Sequence, residues 1–372
     1  MSSLICAECK KYYQMNEPVW RCECGGLLDI DHSPSFPVEK ISRRKPDMWR
    51  YREAIPVDND ENIVSFGEGF TPLLEIELFG TSVAIKQDYL FPTGSFKDRG
   101  ASVLISKVKE LGIDKIIEDS SGNAGAAIAA YAARAAIACD IYVPESTSGN
   151  KLAQIKLYGA NIHTVEGTRE DTANAALAAV ASCNYASHSW NPYFFQGTKT
   201  VAYEICEQLG WKSPDTVVVP VGNGTLLLGA YIGFHDLFKA GIIRKMPKLV
   251  GVQSALCAPL YSAFKKVSTN ESGIKKEQTI AEGIAVSEPV RLKQIIDAVR
   301  ESRGDFIVVE EEEIIEALKV MSRKGFYCEP TSAAAIAGLK KYINIMCNDE
   351  LIVSVITGHG LKAPEKIGHI IL

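Results

Sequence analysis

Between residues 115 and 182 the chain alternates short apolar runs with longer Ala-rich stretches. Lys115-Ile116-Ile117-Glu118-Asp119, Asp140-Ile141-Tyr142-Val143-Pro144 and Asn161-Ile162-His163-Thr164-Val165 read as strands, and 124–136, 151–158 and 169–182 read as the helices between them. Strands that carry apolar residues on both faces and are separated by helix-length connections pair in parallel and need a helical layer on each side. The pattern resumes after Asn191, with helices over 198–209, 226–239, 312–323 and 332–343. Strands fall at Thr216 to Pro220, Leu249 to Gln253, Phe306 to Val309 and Leu351 to Ile356. Ser82-Val83-Ala84-Ile85-Lys86 is a further strand. The expected class is α/β, with two three-layer α/β/α domains built on open, mostly parallel sheets.

A length of 372 residues accommodates two such domains. Hydrophobic residues at 47% and charged residues at 23% are those of a globular chain. A net charge of -5 without a basic run argues against a nucleic-acid surface. No apolar run approaches the ~18 residues of a membrane span, and Met1 to Ile5 is too short for a signal-peptide core. Six cysteines (Cys139, Cys183, Cys206, Cys257, Cys328, Cys347) lie scattered in apolar contexts, the usage of a reducing, cytoplasmic compartment. The expected ligands are small molecules.

The other four cysteines fall in the first 24 residues as Cys6-Ala7-Glu8-Cys9 and Cys22-Glu23-Cys24. Four thiolates so spaced suit tetrahedral Zn(II), and residues 1–33 are too few to fold without a staple. The second pair is one residue tighter than the usual Cys-x-x-Cys, so a metal-free or disulfide-bonded ribbon stands beside the zinc reading. Residues 34–63, with Pro34, Pro37, Pro46 and Pro56, read as an arm with a short helix rather than a core element. The polar, Lys-rich stretch 268–278 reads as a surface loop.

Within 64–372 the expected division places 95–190 in a smaller domain and 64–94 with 191–372 in a larger one. Four strand-to-helix loops carry chemistry-bearing residues. Lys97, in Pro92-Thr93-Gly94-Ser95-Phe96-Lys97-Asp98-Arg99-Gly100, emerges where a loop meets a helix start, a place the macrodipole makes unfavourable for a cation without a compensating role. Ser120-Ser121-Gly122-Asn123 opens a helix whose amides suit a carboxylate. Gly222-Asn223-Gly224-Thr225 permits an amide nest for phosphate, yet matches neither the dinucleotide fingerprint nor a P-loop. Thr357-Gly358-His359-Gly360 ends the last buried strand, and Glu329-Pro330-Thr331-Ser332 reads as a helix cap. Taken singly, each is also consistent with an ordinary turn. Ser95 or Thr93 would then be the cap before Lys97, and His359 a turn residue satisfied by backbone.

Together, and in this order, these stretches with Gly197-Thr198-Lys199-Thr200 resemble the fold-type II pyridoxal-phosphate enzymes of the tryptophan synthase β superfamily, and within it the threonine synthases of archaeal type. The resemblance implies pyridoxal 5'-phosphate held by Lys97 as an internal aldimine, with Asn123 at its 3'-oxygen. Gly222, Asn223, Gly224 and Thr225 would hold its phosphate, and Thr357 its pyridine nitrogen. Ser120, Ser121, Gly122 and Asn123 would hold the substrate carboxylate. Cys6, Cys9, Cys22 and Cys24 correspond to a ribbon often attached in that family. The implied reaction converts O-phospho-L-homoserine and water to L-threonine and phosphate, in a homodimer. Thr279-Ile280-Ala281-Glu282-Gly283-Ile284-Ala285-Val286 instead resembles threonine and serine dehydratases. A dehydratase, a β-replacement enzyme of cysteine synthase type and a cofactor-binding regulatory homologue are therefore the alternatives.

Overall fold

The structure is a computed structural model that describes residues 2–147, 149–180, 184–267, 279–346 and 350–371. The stretch expected as a surface loop, 268–278, lies outside the described residues, as do Cys183 and Cys347. The strands in chain order are β1 Ser3–Cys6, β2 Tyr12–Tyr13, β3 Leu28–Asp31, β4 Leu73–Leu78, β5 Thr81–Lys86, β6 Lys115–Glu118, β7 Ala138–Pro144, β8 Asn161–Val165, β9 Asn184–Tyr185, β10 Thr216–Pro220, β11 Lys248–Ser254, β12 Asp305–Val309 and β13 Ile352–Val355. The chain divides into two compact units, one of Met1–Gly69 with Lys97–Thr198, the other of Phe70–Phe96 with Lys199–Leu372.

The first unit holds a parallel four-stranded sheet in the order β8-β7-β6-β9. From β6 the chain steps outward through β7 to β8, then returns to place β9 on the opposite side of β6. The point where the direction reverses, between β6 and β9, is where open α/β sheets leave a crevice at their carboxyl ends. The two-residue β9 is too short to give a periodic signal in the sequence. The helix Arg169–Ala179 starts where expected because Thr168 and Asp171 form a reciprocal capping box.

Residues 1–33 form a three-stranded antiparallel sheet, β2-β1-β3, within this unit. The expected arm, 34–63, is part of its core. Met48, Trp49, Ile55 and Val57 pack with Val103, and the Trp49 indole donates to Ser102 Oγ at 3.0 Å. Prolines kept this stretch irregular without keeping its apolar side chains in solvent.

The second unit holds a mixed six-stranded sheet, β12-β11-β10-β13-β5-β4, parallel except for the hairpin partner β4. Every residue of β10 and β13 is buried, as central strands covered on both faces require. Here too the order reverses, with β13 inserted between β10 and β5. The helix expected over 198–209 is two, Pro192–Thr198 and Thr200–Gln208, and the unit boundary falls between them. Helices Pro259–Lys265, Leu292–Glu301 and Pro364–Ile371 complete what the alternation alone does not reveal. Among the described residues no helix is long and apolar enough to cross a membrane.

Candidate active site

In the first unit, Lys97 is the first residue of the helix Lys97–Glu110, one residue after the chain leaves the second unit at Phe96. Its Nζ lies 5.7 Å from the centroid of the Phe194 ring, an electrostatically favourable place for an ammonium. Ser95 is fully buried and its Oγ has no hydrogen-bond partner, so it does not cap this helix. A surface turn capped by Ser95 is thereby excluded.

Ser120, Ser121 and Gly122 join β6 to the helix Asn123–Arg134, which packs against the helix that begins at Lys97. Gly122 occupies the N-cap position and supplies no side-chain cap. The Ser120 Oγ accepts from the Gly122 amide at 3.3 Å. An N-terminus so built offers backbone donors to an anion. Beside it, at the reversal between β6 and β9, His188 Nδ1 meets the buried Glu118 carboxylate at 2.7 Å, and the His188 amide donates to the same carboxylate at 3.2 Å. The His188 ring also stands edge-on to Phe194, centroids 6.0 Å apart. Neither His188 nor Phe194 was legible as a site residue, because a lone histidine and an aromatic in an apolar run carry no spacing signal.

In the second unit, Gly222, Asn223, Gly224 and Thr225 link β10 to the 15-residue helix Thr225–Lys239. Gly224 is the N-cap, in the left-handed region at φ 72°, and makes no side-chain cap. A Cβ there would lie 2.3 Å from Ile295 Cδ1, so only glycine fits by both conformation and space. Thr357 follows β13, which pairs in parallel with β10, so loop and hydroxyl stand at the carboxyl ends of neighbouring strands. Thr357 is buried, and its Oγ1 lies 3.1 Å from Ser332 Oγ.

The expected cap Glu329-Pro330-Thr331-Ser332 is made differently. Glu329 is the N-cap residue but its side chain makes no capping bond. Thr331 Oγ1 instead accepts from the Gly283 amide at 3.0 Å, and Ser332 turns to the end of β13. The dehydratase-like stretch thus has a place: Glu311 holds Thr279 Oγ1 and the Ile280 amide, each at 2.7 Å. Its Gly283 carbonyl would lie 3.0 Å from a Cβ at Gly222. His359 behaves as a turn residue, its Nδ1 accepting from the Leu361 amide at 3.1 Å.

The four N-terminal cysteines converge, with all Sγ atoms within 4.8 Å of one another. Cys6 and Cys24 are separated by 3.6 Å and Cys9 and Cys22 by 3.5 Å. A tetrahedron with Zn–S near 2.3 Å has sulfur–sulfur edges of about 3.8 Å, whereas a disulfide needs about 2.05 Å. The thiols are free, and their spacing is too long for a disulfide and compatible with four ligands of one metal ion. The short Cys22-Glu23-Cys24 turn is closed by Gly25 N to Cys22 O at 2.8 Å and Cys22 N to Gly26 O at 3.0 Å. The Tyr13 hydroxyl donates to Cys22 Sγ at 3.1 Å, which with further hydrogen bonds lowers that thiol to about 6.

The donor sets match the group that the resemblance implies. An amide-lined helix start suits a phosphate, a buried hydroxyl suits a ring nitrogen, and an amine at a helix start beside an aromatic face suits an aldehyde. Comparison with known proteins bears on the family. The sequence pattern of the family "Pyridoxal-phosphate dependent enzyme" matches residues 64–358. The chain is 40% identical to a threonine synthase of Methanocaldococcus jannaschii, over 97% of this chain and 93% of that protein. It is 35% identical to a threonine synthase of Methanosarcina acetivorans, over 99% and 94%. Among solved structures, serine racemase from Dictyostelium discoideum superposes with a TM-score of 0.66 at 28% identity, covering 78% of this chain and 92% of that one.

Proposed function

The chain belongs to the pyridoxal-phosphate-dependent enzyme family, and from that premise we propose that it converts O-phospho-L-homoserine and water to L-threonine and inorganic phosphate. The observation that carries this reading is that the similarity to the threonine synthases of Methanocaldococcus jannaschii and Methanosarcina acetivorans covers 97% and 99% of this chain. When bound, pyridoxal phosphate supplies an electron sink conjugated to the substrate's Cα.

This chain's residues do the rest. Lys97 would hold the cofactor at its aldehyde, and its free amine would take the proton from Cα and one from Cβ as phosphate leaves Cγ. It would deliver one of the two to Cγ, which becomes the methyl group. It would return the other to Cα after water adds at Cβ and gives its remaining proton to the released phosphate. Gly222, Asn223, Gly224 and Thr225 bind the cofactor phosphate, Asn123 its 3'-oxygen and Thr357 its ring nitrogen. Ser120, Ser121, Gly122 and Asn123 orient the substrate carboxylate. The uncapped helix starts at Gly122 and Gly224 support these roles.

Cys6, Cys9, Cys22 and Cys24 hold one Zn(II), which staples residues 1–33. A site closed by four thiolates keeps no open position for catalysis. A homodimer follows from the family resemblance. Free buried thiols at Cys139, Cys206 and Cys328 support a cytoplasmic location.

The test is to incubate the cofactor-loaded protein with O-phospho-L-homoserine and quantify threonine and phosphate. Equal release of both supports the reading. No release from loaded enzyme moves the assignment to dehydration or β-replacement on serine, threonine or an activated serine, the alternative favoured by the packing of 279–286 against Gly222.

A further inference from the structure

Ser332, the third residue of the helix Pro330–Ile343, is fully buried, yet it does no capping work for that helix. Its Oγ lies 3.0 Å from the Thr357 amide, 3.2 Å from the Gly358 amide, 3.1 Å from Thr357 Oγ1 and 3.5 Å from the Gly358 carbonyl. A hydroxyl has one proton to donate and two lone pairs to accept with. Two backbone N–H groups, which can only donate, occupy both lone pairs. Ser332 has no acceptor capacity left for the Thr357 hydroxyl proton.

The Ser332 proton therefore goes to one of two oxygens. The Gly358 carbonyl is at the distance limit and already accepts from the Glu329 amide at 2.9 Å. Thr357 Oγ1 is 0.4 Å nearer (3.5 against 3.1) and takes it. Thr357 Oγ1 thus accepts from Ser332, and its own proton is directed away from Ser332. The main chain holds this arrangement: the Thr357 carbonyl accepts from the Phe96 amide at 2.9 Å, and the Ser332 amide is bound to Glu329 O at 2.9 Å.

We propose that Ser332 is a positioning residue that fixes the Thr357 hydroxyl as a hydrogen-bond donor toward the pyridine nitrogen of the cofactor. The inference rests on the reading of Thr357 as the partner of that nitrogen. A nitrogen that receives a donor keeps its lone pair engaged and stays unprotonated, which tempers the ring as an electron sink. Were Thr357 an acceptor instead, the nitrogen would have to carry a proton. The polarity of one buried hydroxyl, set by two backbone amides, thereby chooses the cofactor's charge state.

The experiment loads the full chain with pyridoxal phosphate labelled with 15N in the ring and records the ring nitrogen resonance of the wild type, Thr357→Val and Ser332→Ala. The expected wild-type resonance is that of an unprotonated, hydrogen-bonded nitrogen. Thr357→Val moves it to the unbonded position, and Ser332→Ala, which frees the Thr357 hydroxyl to reverse, moves it toward the protonated position. A protonated nitrogen in the wild type overturns the inference, and needs no variant to fold. If Thr357→Val leaves the resonance in place, the assignment of Thr357 is wrong and the inference falls with it. If Thr357→Val moves it and Ser332→Ala does not, Thr357 is correctly placed and the role of Ser332 alone is refuted.

Discussion

Phe194 occupies the space that any side chain at position 100 would need: a Cβ on Gly100 would lie 2.4 Å from its ring. Gly100 is one turn along the helix that starts at Lys97, and the same ring lies under the Lys97 amine. Gly100→Ala gains about 1 kcal/mol in helix propensity, but a rigid aromatic ring cannot yield by the required distance, and overpacking costs about 1–3 kcal/mol. Net destabilisation follows, read as a lower denaturant midpoint. Gly100→Ala combined with Phe194→Leu should lose less than the sum of the two single variants, and strict additivity would refute the contact.

Gly224→Ala is expected to weaken cofactor binding. A non-glycine residue in the left-handed region costs roughly 1–2 kcal/mol, which corresponds to about 5- to 30-fold in affinity if expressed wholly in binding. The contact with Ile295 adds to this. Gly210, at φ 68° with open space around its missing Cβ, carries the conformational cost without the crowding. Titration of each apoprotein with pyridoxal phosphate checks the pair: Gly210→Ala should bind as the wild type does, and equal affinities in all three proteins would contradict the placement of the phosphate.

Metal removal should unsettle the ribbon and what it rests on. Trp20, two residues before Cys22, stands edge-on to Tyr185 at 5.0 Å and to Trp190 at 5.8 Å, and the Tyr193 hydroxyl donates to Met15 O at 3.3 Å. A strong chelator is expected to extract one zinc per chain, lower the melting temperature and shift tryptophan emission toward that of exposed indole. Cys22→Ser should reproduce all three effects. A protein purified without stoichiometric metal, and unchanged by the chelator, would return the cluster to a metal-free ribbon.

The central strands were legible because buried parallel strands must be apolar on both faces; β10, buried throughout, lies where the alternation places it, and the exposed edge strand β8 falls at its expected place too. The four candidate loops stand out in the sequence because glycine and small polar residues punctuate strand-to-helix junctions. Three kinds of feature were not legible. The two-residue β9 defines the reversal point of its sheet without a periodic pattern of its own. The arm's apolar residues are spaced irregularly, so their burial against Val103 depends on partners distant in sequence. Ser332 and Phe194 act through neighbours 25 and 97 positions away (332 to 357, 97 to 194), and sequence spacing says nothing of such contacts.

At the amino-terminal edge of the six-stranded sheet, Glu350 joins three elements. It accepts from Thr216 Oγ1 at the start of β10, from Tyr342 OH near the end of the helix Pro330–Ile343 and from Lys248 Nζ at the start of β11, each at 2.8 Å. Burial pushes its carboxyl up, but the bonds from Lys248, Thr216 and Tyr342 together outweigh this and hold it below its ordinary 4.5. A carboxylate lowered in the folded state contributes stability in full above its unfolded pKa and loses it as pH falls through the folded one. Glu350→Gln should therefore cost on the order of 1–3 kcal/mol near neutrality, the worth of hydrogen bonds to a charged group. The gap between wild type and variant should narrow only below about 4.5. Denaturant melts across the acid range measure that gap, and one that stays constant down to strong acid would show that the carboxylate charge contributes nothing. Because Glu350 lies at the opposite edge of its sheet from the loops that follow β10 and β13, turnover per folded molecule should stay at the wild-type value throughout.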